Sequence, residues 1–225
     1  MTAPSLRPRL GILLVALATI GRTAASQQPA VTDQQYPLKA AYLLNFGSLI
    51  TWPKEAFKPT DGKFVIGVLG NDPFGETLRR IERDKVVVQP GMEQPLRIRV
   101  QRLKSMDEYK PCHILFISST PAAGREGETV QDRLDAAIAE LAKRKDAHVL
   151  LVSDTTGFAR KGVTINFRIN LEENAINMEI NRASEKRAGL AISSRLLGLS
   201  IVQIVPEDAE QHATEGANRD DAGPD

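Results

Sequence analysis

The sequence predicts an α/β fold: a single-domain sandwich with a mostly parallel central sheet, an antiparallel edge hairpin and flanking helices. Three short apolar runs have the length and composition of strands that are buried on both faces. Segments with helical spacing of apolar residues separate these runs, and this alternation of strand and helix is typical of a parallel sheet. Two further short strands flank a polar turn at Glu172–Asn174, which is the pattern of a hairpin.

The first elements follow from apolar spacing and turn residues. Residues Pro37–Ile50 predict a mostly buried helix, which Thr51-Trp52-Pro53 ends because proline disfavours a helical residue before it. Residues 27–35 before it are expected to be an unstructured lead-in. Phe64–Leu69 is predicted as a buried strand, and Asp72 is expected to cap a second helix that starts at the next residue.

The second half of the chain continues the alternation. The predicted elements are a half-exposed strand over Leu96–Val100, a buried strand over Ile114–Ile117, an amphipathic helix over Arg133–Lys143, a buried strand over Val149–Val152, hairpin strands near 163–169 and 175–180, and a closing helical segment from Asn181 that restarts after Gly189. No internal repeat or linker divides this region, so we expect one domain.

The first 26 residues have the three parts of a secretory signal peptide. Arg7 and Arg9 precede an apolar run over Leu10–Ile20, and small residues follow it. The run is shorter than the roughly 20 apolar residues of a membrane-spanning helix, so we expect cleavage near Ala25 or Ser26, with a retained anchor as the alternative. No cysteine follows the run, so no lipid anchor is expected. The sequence therefore predicts a periplasmic protein.

Composition predicts a simple domain organisation and excludes some partners. Residues 1–26 form the signal peptide, residues 36–205 form one α/β domain, and the polar, acidic residues 206–225 form a disordered tail. The formal net charge of +1 favours neither nucleic acid nor an anionic membrane as a partner. The chain has one cysteine, Cys112, so it forms no internal disulfide.

A glycine-rich turn after the first buried strand is the candidate site for a small anion. Gly70, Asn71, Asp72 and Gly75 precede a predicted helix, and the N–H groups at a helix N-terminus bind anions. Their spacing matches neither the dinucleotide-binding fingerprint nor the P-loop. A tight strand-to-helix turn without a ligand is the other interpretation.

No arrangement of residues convincingly supports catalysis, metal binding or a cofactor. Cys112 and His113 are neighbours on a strand, where their side chains point to opposite faces, so His113 is poorly placed to activate the thiol. His148 and Ser153 are separated by roughly 16 Å of extended chain, and Asp154 is expected to cap a turn. We therefore expect no catalytic, metal-binding or cofactor-binding residue and predict that the protein is not an enzyme.

Basic residues cluster on the half-exposed strand and just beyond it. Arg97 and Arg99 share one strand face, and Arg102 and Lys104 follow them. A solvated sheet edge is the simplest interpretation. An electrostatic contact with an acidic protein is the alternative, and in that case charge reversal of Arg97 and Arg99 weakens partner binding.

Seven further stretches occur in a fixed order along the chain. They are Lys39-Ala40-Ala41-Tyr42-Leu43-Leu44-Asn45-Phe46 with Thr51-Trp52-Pro53, then residues 68–75, 112–118, 151–154 with 157–158, 162–167, 180–181 and 189–197. Together they resemble the YfiR family over about residues 36–205, which is the whole predicted domain.

The resemblance implies a small periplasmic α/β protein that represses a membrane diguanylate cyclase by binding its periplasmic sensor domain. Release of that cyclase raises cyclic di-GMP and promotes biofilm formation. The family also implies a homodimer. Well-known members carry additional cysteines in disulfides, whereas this chain has only Cys112, so redox control by an internal disulfide is not expected.

The leading hypothesis is an exported regulator that inhibits a membrane diguanylate cyclase or another membrane sensor. The first helix and the leucine-rich C-terminal segment are the expected contact elements, because exposed apolar faces there would form an interface. The candidate contact residues, with those of the basic strand, are Tyr42, Phe46, Arg97, Arg99, Leu196 and Leu197. The alternative is a periplasmic protein that binds an anion or nucleotide at the Gly70–Gly75 turn. An exported hydrolase that uses Cys112 is the third hypothesis.

Overall fold

The computed structural model describes residues 31–144 and 148–206 of the 225-residue chain. The predicted signal peptide, residues 1–26, lies outside the described residues, as does the predicted tail apart from Pro206. Within the described ranges, no helix is both long enough and apolar enough to cross a membrane.

The described part of the chain contains five α-helices, ten strands and three short 3-10 helices at Lys54–Thr60, Met106–Glu108 and Phe158–Lys161. The α-helices are α1 (Val31–Leu49), α2 (Glu76–Asp84), α3 (Val130–Ala142), α4 (Arg182–Arg187) and α5 (Ser194–Leu197). The strands are β1 (Ile50–Thr51), β2 (Phe64–Leu69), β3 (Val86–Val87), β4 (Leu96–Leu103), β5 (Ile114–Ile117), β6 (Leu150–Ser153), β7 (Ile165–Asn170), β8 (Ala175–Asn181), β9 (Ala191–Ile192) and β10 (Val202–Val205).

Eight of these strands form one mostly parallel sheet in the order β10-β8-β7-β6-β5-β2-β4-β3. Strands β4, β2, β5, β6 and β7 run parallel, β7 and β8 form an antiparallel hairpin, and β1 pairs with β9 in a separate small sheet. The predicted fold class is therefore confirmed. The strand order reverses direction between β2 and β5, so their carboxyl ends mark the topological switch point, where open α/β sheets bind ligands.

The first helix begins before the predicted start. α1 spans Val31–Leu49 and contains Pro37 in its interior, so the lead-in predicted over residues 27–35 is wrong from Val31 onward. The apolar spacing that indicates a helix starts only at Leu38. The polar residues before it therefore carry no periodic signal of their own.

The predicted hairpin is present, but it does not form the edge of the sheet. β10 pairs in parallel with β8 from Val202 to Val205 and becomes the edge strand. Gln203 interrupts the apolar residues of this stretch, so the sequence shows no continuous apolar run there. The stretch becomes a strand because the free side of β8 supplies its hydrogen-bonding partners.

The closing segment is interrupted at Gly189, as predicted, but a strand separates its two helices. Gly189 has a φ of +64°, a backbone conformation in which helices end. Glu185 is buried, and its carboxylate accepts the N–H of Ile192 at 2.7 Å, which holds β9 against α4. Ser193 then caps α5 by accepting the N–H of Leu196 at 3.4 Å.

The sheet separates two apolar clusters. α1 and α2 cover one face, and α3 covers the other. Alternation along β2 directs Phe64, Ile66 and Val68 towards α1, and Val65 and Leu69 towards α3. Because the central strands are buried on both faces, their sequences are continuous apolar runs.

His113 is fully buried among aromatic rings at the start of β5. Its ring stacks on Phe57 and Phe64, with centroids 4.4 Å and 4.9 Å away, and meets Trp52 edge-on at 6.0 Å. Its Nδ1 accepts the backbone N–H of Val65 at 3.0 Å, which requires the neutral imidazole with its proton on Nε2. Burial lowers the pKa of His113 to about 4.

This burial predicts that the protein loses stability in mild acid. The unfolded chain protonates His113 near its ordinary pKa of 6.5, whereas the folded chain does so only near pH 4. The stability that comes from keeping His113 neutral is therefore fully present above pH 6.5. About 3 kcal/mol of the free energy of unfolding is lost as the pH falls from 6.5 to 4. Denaturant unfolding at pH 7 and at pH 5 measures this change.

His113→Asn is the matched variant, because its side-chain oxygen keeps an acceptor for Val65 but does not titrate. We expect it to be less stable at pH 7, since ring packing is lost. Its free energy of unfolding should change less between pH 7 and pH 5 than that of the wild type. An equal change in both proteins would contradict the prediction.

Candidate functional site

The predicted ligand turn lies at the carboxyl end of β2, at the switch point. Gly70 has a φ of +96°, and a Cβ there would lie 2.7 Å from the carbonyl oxygen of Thr120, so only glycine fits. The N–H of Gly70 donates to the carbonyl of Leu103 at 2.9 Å, and the N–H of Asn71 donates to Thr120 at 3.0 Å. Two of the donors that an anion would need are thus used within the fold.

Asp72 uses two more donors of the same turn. Its Oδ1 accepts the N–H groups of Phe74 and Gly75 at 2.8 Å and 3.3 Å, and its Oδ2 accepts from Nε of Arg102 at 2.8 Å. α2 begins at Glu76, three residues later than predicted, because Asp72 closes a turn before the helix instead of capping it. The geometry therefore favours the interpretation as a tight turn without a ligand.

A buried ion pair closes the same end of the sheet. Nζ of Lys39 lies 2.6 Å from Oδ2 of Asp154, and the two side chains are 2% and 7% exposed. Asp154 was expected to cap a turn, but its carboxylate binds this lysine instead. Nζ also donates to Oε1 of Gln35 at 2.8 Å and lies 4.6 Å from the ring centroid of Tyr36. The first turns of α1 thus fill the switch point with side chains of the protein itself.

Tyr36 belongs to this closed end of the sheet. It packs edge-on against Phe74 with ring centroids 5.7 Å apart. Burial, and then the negative charge of Asp154, raise the pKa of Tyr36, so its hydroxyl stays neutral near pH 7. The switch point is therefore occupied by a packed tyrosine, a paired lysine and a paired aspartate.

The outer side of α1 carries no exposed charge between Leu38 and Leu49. The only charged residue in this stretch is Lys39, which is buried. Exposed or half-buried residues recur at spacings of four, three and four along one stripe, at Leu38, Tyr42, Asn45 and Leu49. We call this stripe the α1 face. The outer face of a surface helix ordinarily carries charged residues, and the α1 face carries none.

The structure divides the predicted contact residues between core and surface. Phe46 is fully buried and stacks on Phe167 with ring centroids 6.0 Å apart, and Leu196 is only 1% exposed. The expected exposure of Phe46 and Leu196 is therefore wrong, because both side chains fill the core beneath α1. Tyr42 and Leu197 are half-buried and reach the surface.

The small β1–β9 sheet brings the two predicted contact elements together. Ile50 pairs with Ile192, and the N–H of Ser193 donates to the carbonyl of Leu49 at 2.9 Å. This pairing fixes the end of α1 beside the start of α5, which carries Leu197. The first helix and the leucine-rich segment are thus neighbours in the fold.

Arg97 and Arg99 are exposed on the other face of the sheet. Leu96 and Ile98 point into the cluster beneath α1, and alternation along β4 directs the two arginines away from it. The fold places these arginines side by side, as predicted. It does not bring them to the α1 face.

Cys112 is buried and poorly suited to act as a nucleophile. Burial raises the pKa of its thiol to about 12, and the thiolate is the reactive form. His113 aims Nδ1 at the backbone of Val65, so it does not act as a base for Cys112. In the part of the chain that the structure describes, no group of three or more His, Cys, Asp or Glu residues is placed to hold a metal ion.

A family model described as YfiR/HmsC-like matches residues 36–201. The chain belongs to the YfiR/HmsC-like family. The resemblance inferred from the sequence motifs is therefore confirmed. The YfiR/HmsC-like family comprises periplasmic regulators of diguanylate cyclases rather than enzymes. A comparison with curated proteins gives no match.

The motif residues of this YfiR/HmsC-like chain have mainly structural roles. Lys39 forms the buried ion pair, Trp52 packs in the aromatic cluster, and Asp72 closes a turn. Contacts on the first helix are expected from the sequence, but only Tyr42 of the α1 face is among the predicted contact residues, to which the structure adds Leu38, Asn45 and Leu49. The lack of charged residues from Ala40 to Leu49 is the signal that predicts the α1 face.

The ion pair between Lys39 and Asp154 is expected to be essential for stability. Lys39→Met leaves Asp154 as a buried carboxylate without a counter-ion, so we expect a loss of about 3–5 kcal/mol in the free energy of unfolding. The double variant Lys39→Met, Asp154→Leu removes both charges and should recover most of that loss. Denaturant unfolding of the wild type, both single variants and the double variant measures the coupling. A loss below about 1 kcal/mol in Lys39→Met would contradict this expectation.

Proposed function

We propose that the protein binds and inhibits the periplasmic sensor domain of a membrane diguanylate cyclase and so lowers cyclic di-GMP. Family membership supports a periplasmic regulator of such a cyclase. One observation carries the choice of protein binding: the α1 face lacks any exposed charge in a chain of which 25% is charged. Such a surface favours burial against another protein.

Inhibition requires that the regulator bind the inactive state of the cyclase more tightly than the active state. The α1 face is suited to this because the helix is held at its middle and at its carboxyl end. Lys39, in the middle, forms the buried ion pair with Asp154, and Ile50, just after the helix, pairs with Ile192. A rigid surface loses little conformational entropy on binding and adapts poorly to a second arrangement of its partner.

Arg97 and Arg99 enter the proposal as a separate electrostatic contact. They lie across the sheet from the α1 face, so one flat interface does not include both surfaces. Exposed charges act on a partner over about a Debye length and mainly change the association rate. We therefore assign these arginines to steering, and we assign the stripe that includes Tyr42, with Leu197 beside it, to direct contact.

The proposal also includes export and assembly. Residues 1–26 act as a cleaved signal peptide, residues 36–205 form the working domain, and two copies form a homodimer. The mass of the protein recovered from the periplasm tests cleavage near Ala25 or Ser26. Sedimentation of the same material tests the dimer, and a purely monomeric protein at the concentrations used would overturn that part.

Ala41→Glu is the sharpest test of the α1 face. Ala41 is exposed beside Leu38 and Asn45 of the α1 face, so the substitution adds a charge at the edge of that face without removing a core contact. An unpaired carboxylate buried in an interface costs several kcal/mol, so cyclase binding should weaken at least about tenfold. Capture of the cyclase from detergent-solubilised membranes by the tagged full chain measures binding, and cellular cyclic di-GMP should rise in the variant.

Ala139→Glu is the matched control. Ala139 is also exposed on a helix, but α3 covers the opposite face of the sheet. The control should leave both cyclase capture and cyclic di-GMP unchanged. If Ala41→Glu is folded and captures the cyclase as well as the control does, the α1 face is not the contact surface.

Charge reversal on β4 tests the steering role. Arg97→Glu with Arg99→Glu should slow association with the cyclase sensor domain at low salt, and the difference should shrink at high salt because exposed charges are screened. Association rates at several salt concentrations measure this. Lys54→Glu with Lys58→Glu changes the net charge equally at other exposed positions and serves as the control. Identical rates for both double variants would remove Arg97 and Arg99 from the proposal.

A further inference from the structure

The strand β10 has an open outer edge. It pairs with β8 on one side, and no strand among the described residues pairs with its other side. The N–H of Met178 donates to the carbonyl of Ile201 at 2.8 Å, so alternate residues of β10 face β8 and the residues between them, Val202 and Ile204, face outward. The N–H of Val202 is used by the carbonyl of Leu199 at 3.0 Å. The outer edge therefore offers the N–H of Ile204 and two carbonyls to another strand.

This edge carries no charge. From Leu196 to Pro206 the sequence contains no Asp, Glu, Lys or Arg. Leu199 and Ile204 are 40% and 45% exposed. Exposed edge strands are ordinarily protected from association by charged side chains. β10 has only its short length and Pro206 as protection, so its edge favours pairing with another uncharged strand.

The opposite edge of the sheet is protected in the ordinary way. Arg97 and Arg99 are exposed on β4, and Lys85 is exposed just before β3. Oε1 of Glu82 accepts the N–H of Val100 at 2.9 Å, so a side chain of the protein covers part of this edge. Two copies that met here would bring like charges together, which is unfavourable. Of the two edges, β10 is the one that can pair with its own copy without charge repulsion.

We propose that β10 pairs antiparallel with β10 of a second copy, about a two-fold axis that passes beside Gln203. This inference rests on the homodimer of the proposed function and assigns its interface. In this register Gln203 lies opposite its own equivalent, and each Ile204 lies opposite Val202 of the other copy. The N–H of each Ile204 then donates to the carbonyl of that Val202, which gives two hydrogen bonds across the axis.

The antiparallel register suits both the side chains and the rest of the chain. Val202 packs against the apolar cluster beneath α1, and alternation places Ile204 on the same side, so pairing covers each Ile204 with an aliphatic neighbour. The acidic residues 207–225 of the two copies also start at opposite ends of the paired strands, where they do not repel each other. The interface is small, so we expect a dissociation constant on the order of 10 μM.

Ile204→Lys tests the edge, and Val86→Lys is the matched control. Val86 is 52% exposed on β3, the strand at the opposite edge of the sheet. A lysine at position 204 faces the aliphatic side chain of the other copy, so dimerisation should weaken at least about tenfold. The control should leave dimerisation unchanged. Sedimentation of the protein recovered from the periplasm, over a range of concentrations, measures both.

The outcomes separate this interface from the homodimer itself. If folded Ile204→Lys dimerises as well as Val86→Lys, the pairing of β10 is overturned and the homodimer stands. If the wild type is monomeric up to about 100 μM, both are overturned. If Ile204→Lys leaves a monomeric protein that captures less cyclase, β10 contacts the cyclase, which also overturns pairing between two copies.

Gln203→Cys tests the register without relying on a loss of binding. Cα atoms of a non-hydrogen-bonded antiparallel pair lie about 4.5 Å apart, within the range that a disulfide spans. Gln203 is exposed, so the substitution removes no core contact. Mild oxidation should therefore link two copies through position 203. Val88→Cys, at a position 56% exposed near the opposite edge, and the wild type, whose Cys112 is buried, should stay unlinked. Failure of Gln203→Cys to link, or equal linking by Val88→Cys, would overturn the proposal.

Discussion

The buried ion pair between Lys39 and Asp154 fixes α1 across the sheet, and the remaining surface of the domain depends on that position. Both side chains are almost completely shielded from water, where opposite charges attract strongly and an unpaired charge is costly. The pairing of Ile50 with Ile192 holds the carboxyl end of the helix. These two attachments, together with the core contacts of Leu43 and Phe46, orient the helix so that its apolar side fills the core and its uncharged stripe lies outside.

The polar residues that suggested ligand or catalytic chemistry are used inside the fold. Asp72 accepts N–H groups of its own turn, His113 accepts the N–H of Val65, and Asp154 binds Lys39. A buried polar group that lacks such a partner costs stability, so these bonds are needed whatever the protein recognises. The α1 face is the surface that we propose for partner contact at this side of the sheet, and membership of a family of regulators supports the proposal.

The central strands are predictable from the sequence because each residue of β2, β5 and β6 lies under a helix or within the sheet. Burial on both faces requires continuous apolar runs, and these are visible without a structure. The short strands β9 and β10 are not predictable in the same way. Ile192 and Val205 become strand residues only because Ile50 and Asn181 lie beside them in the fold.

The sequence by itself determined the fold class, the order of the main elements and the family, because apolar periodicity and motif order are local properties of the chain. Only the tertiary structure decided that Phe46 faces the core while Tyr42 reaches the surface, and that Arg97 lies across the sheet from both. When a helix has a broad apolar side, its sequence alone does not specify which of the apolar residues face the core. Long-range contacts decide which residues face the core. One of these contacts joins Lys39 and Asp154, which are 115 residues apart in the chain.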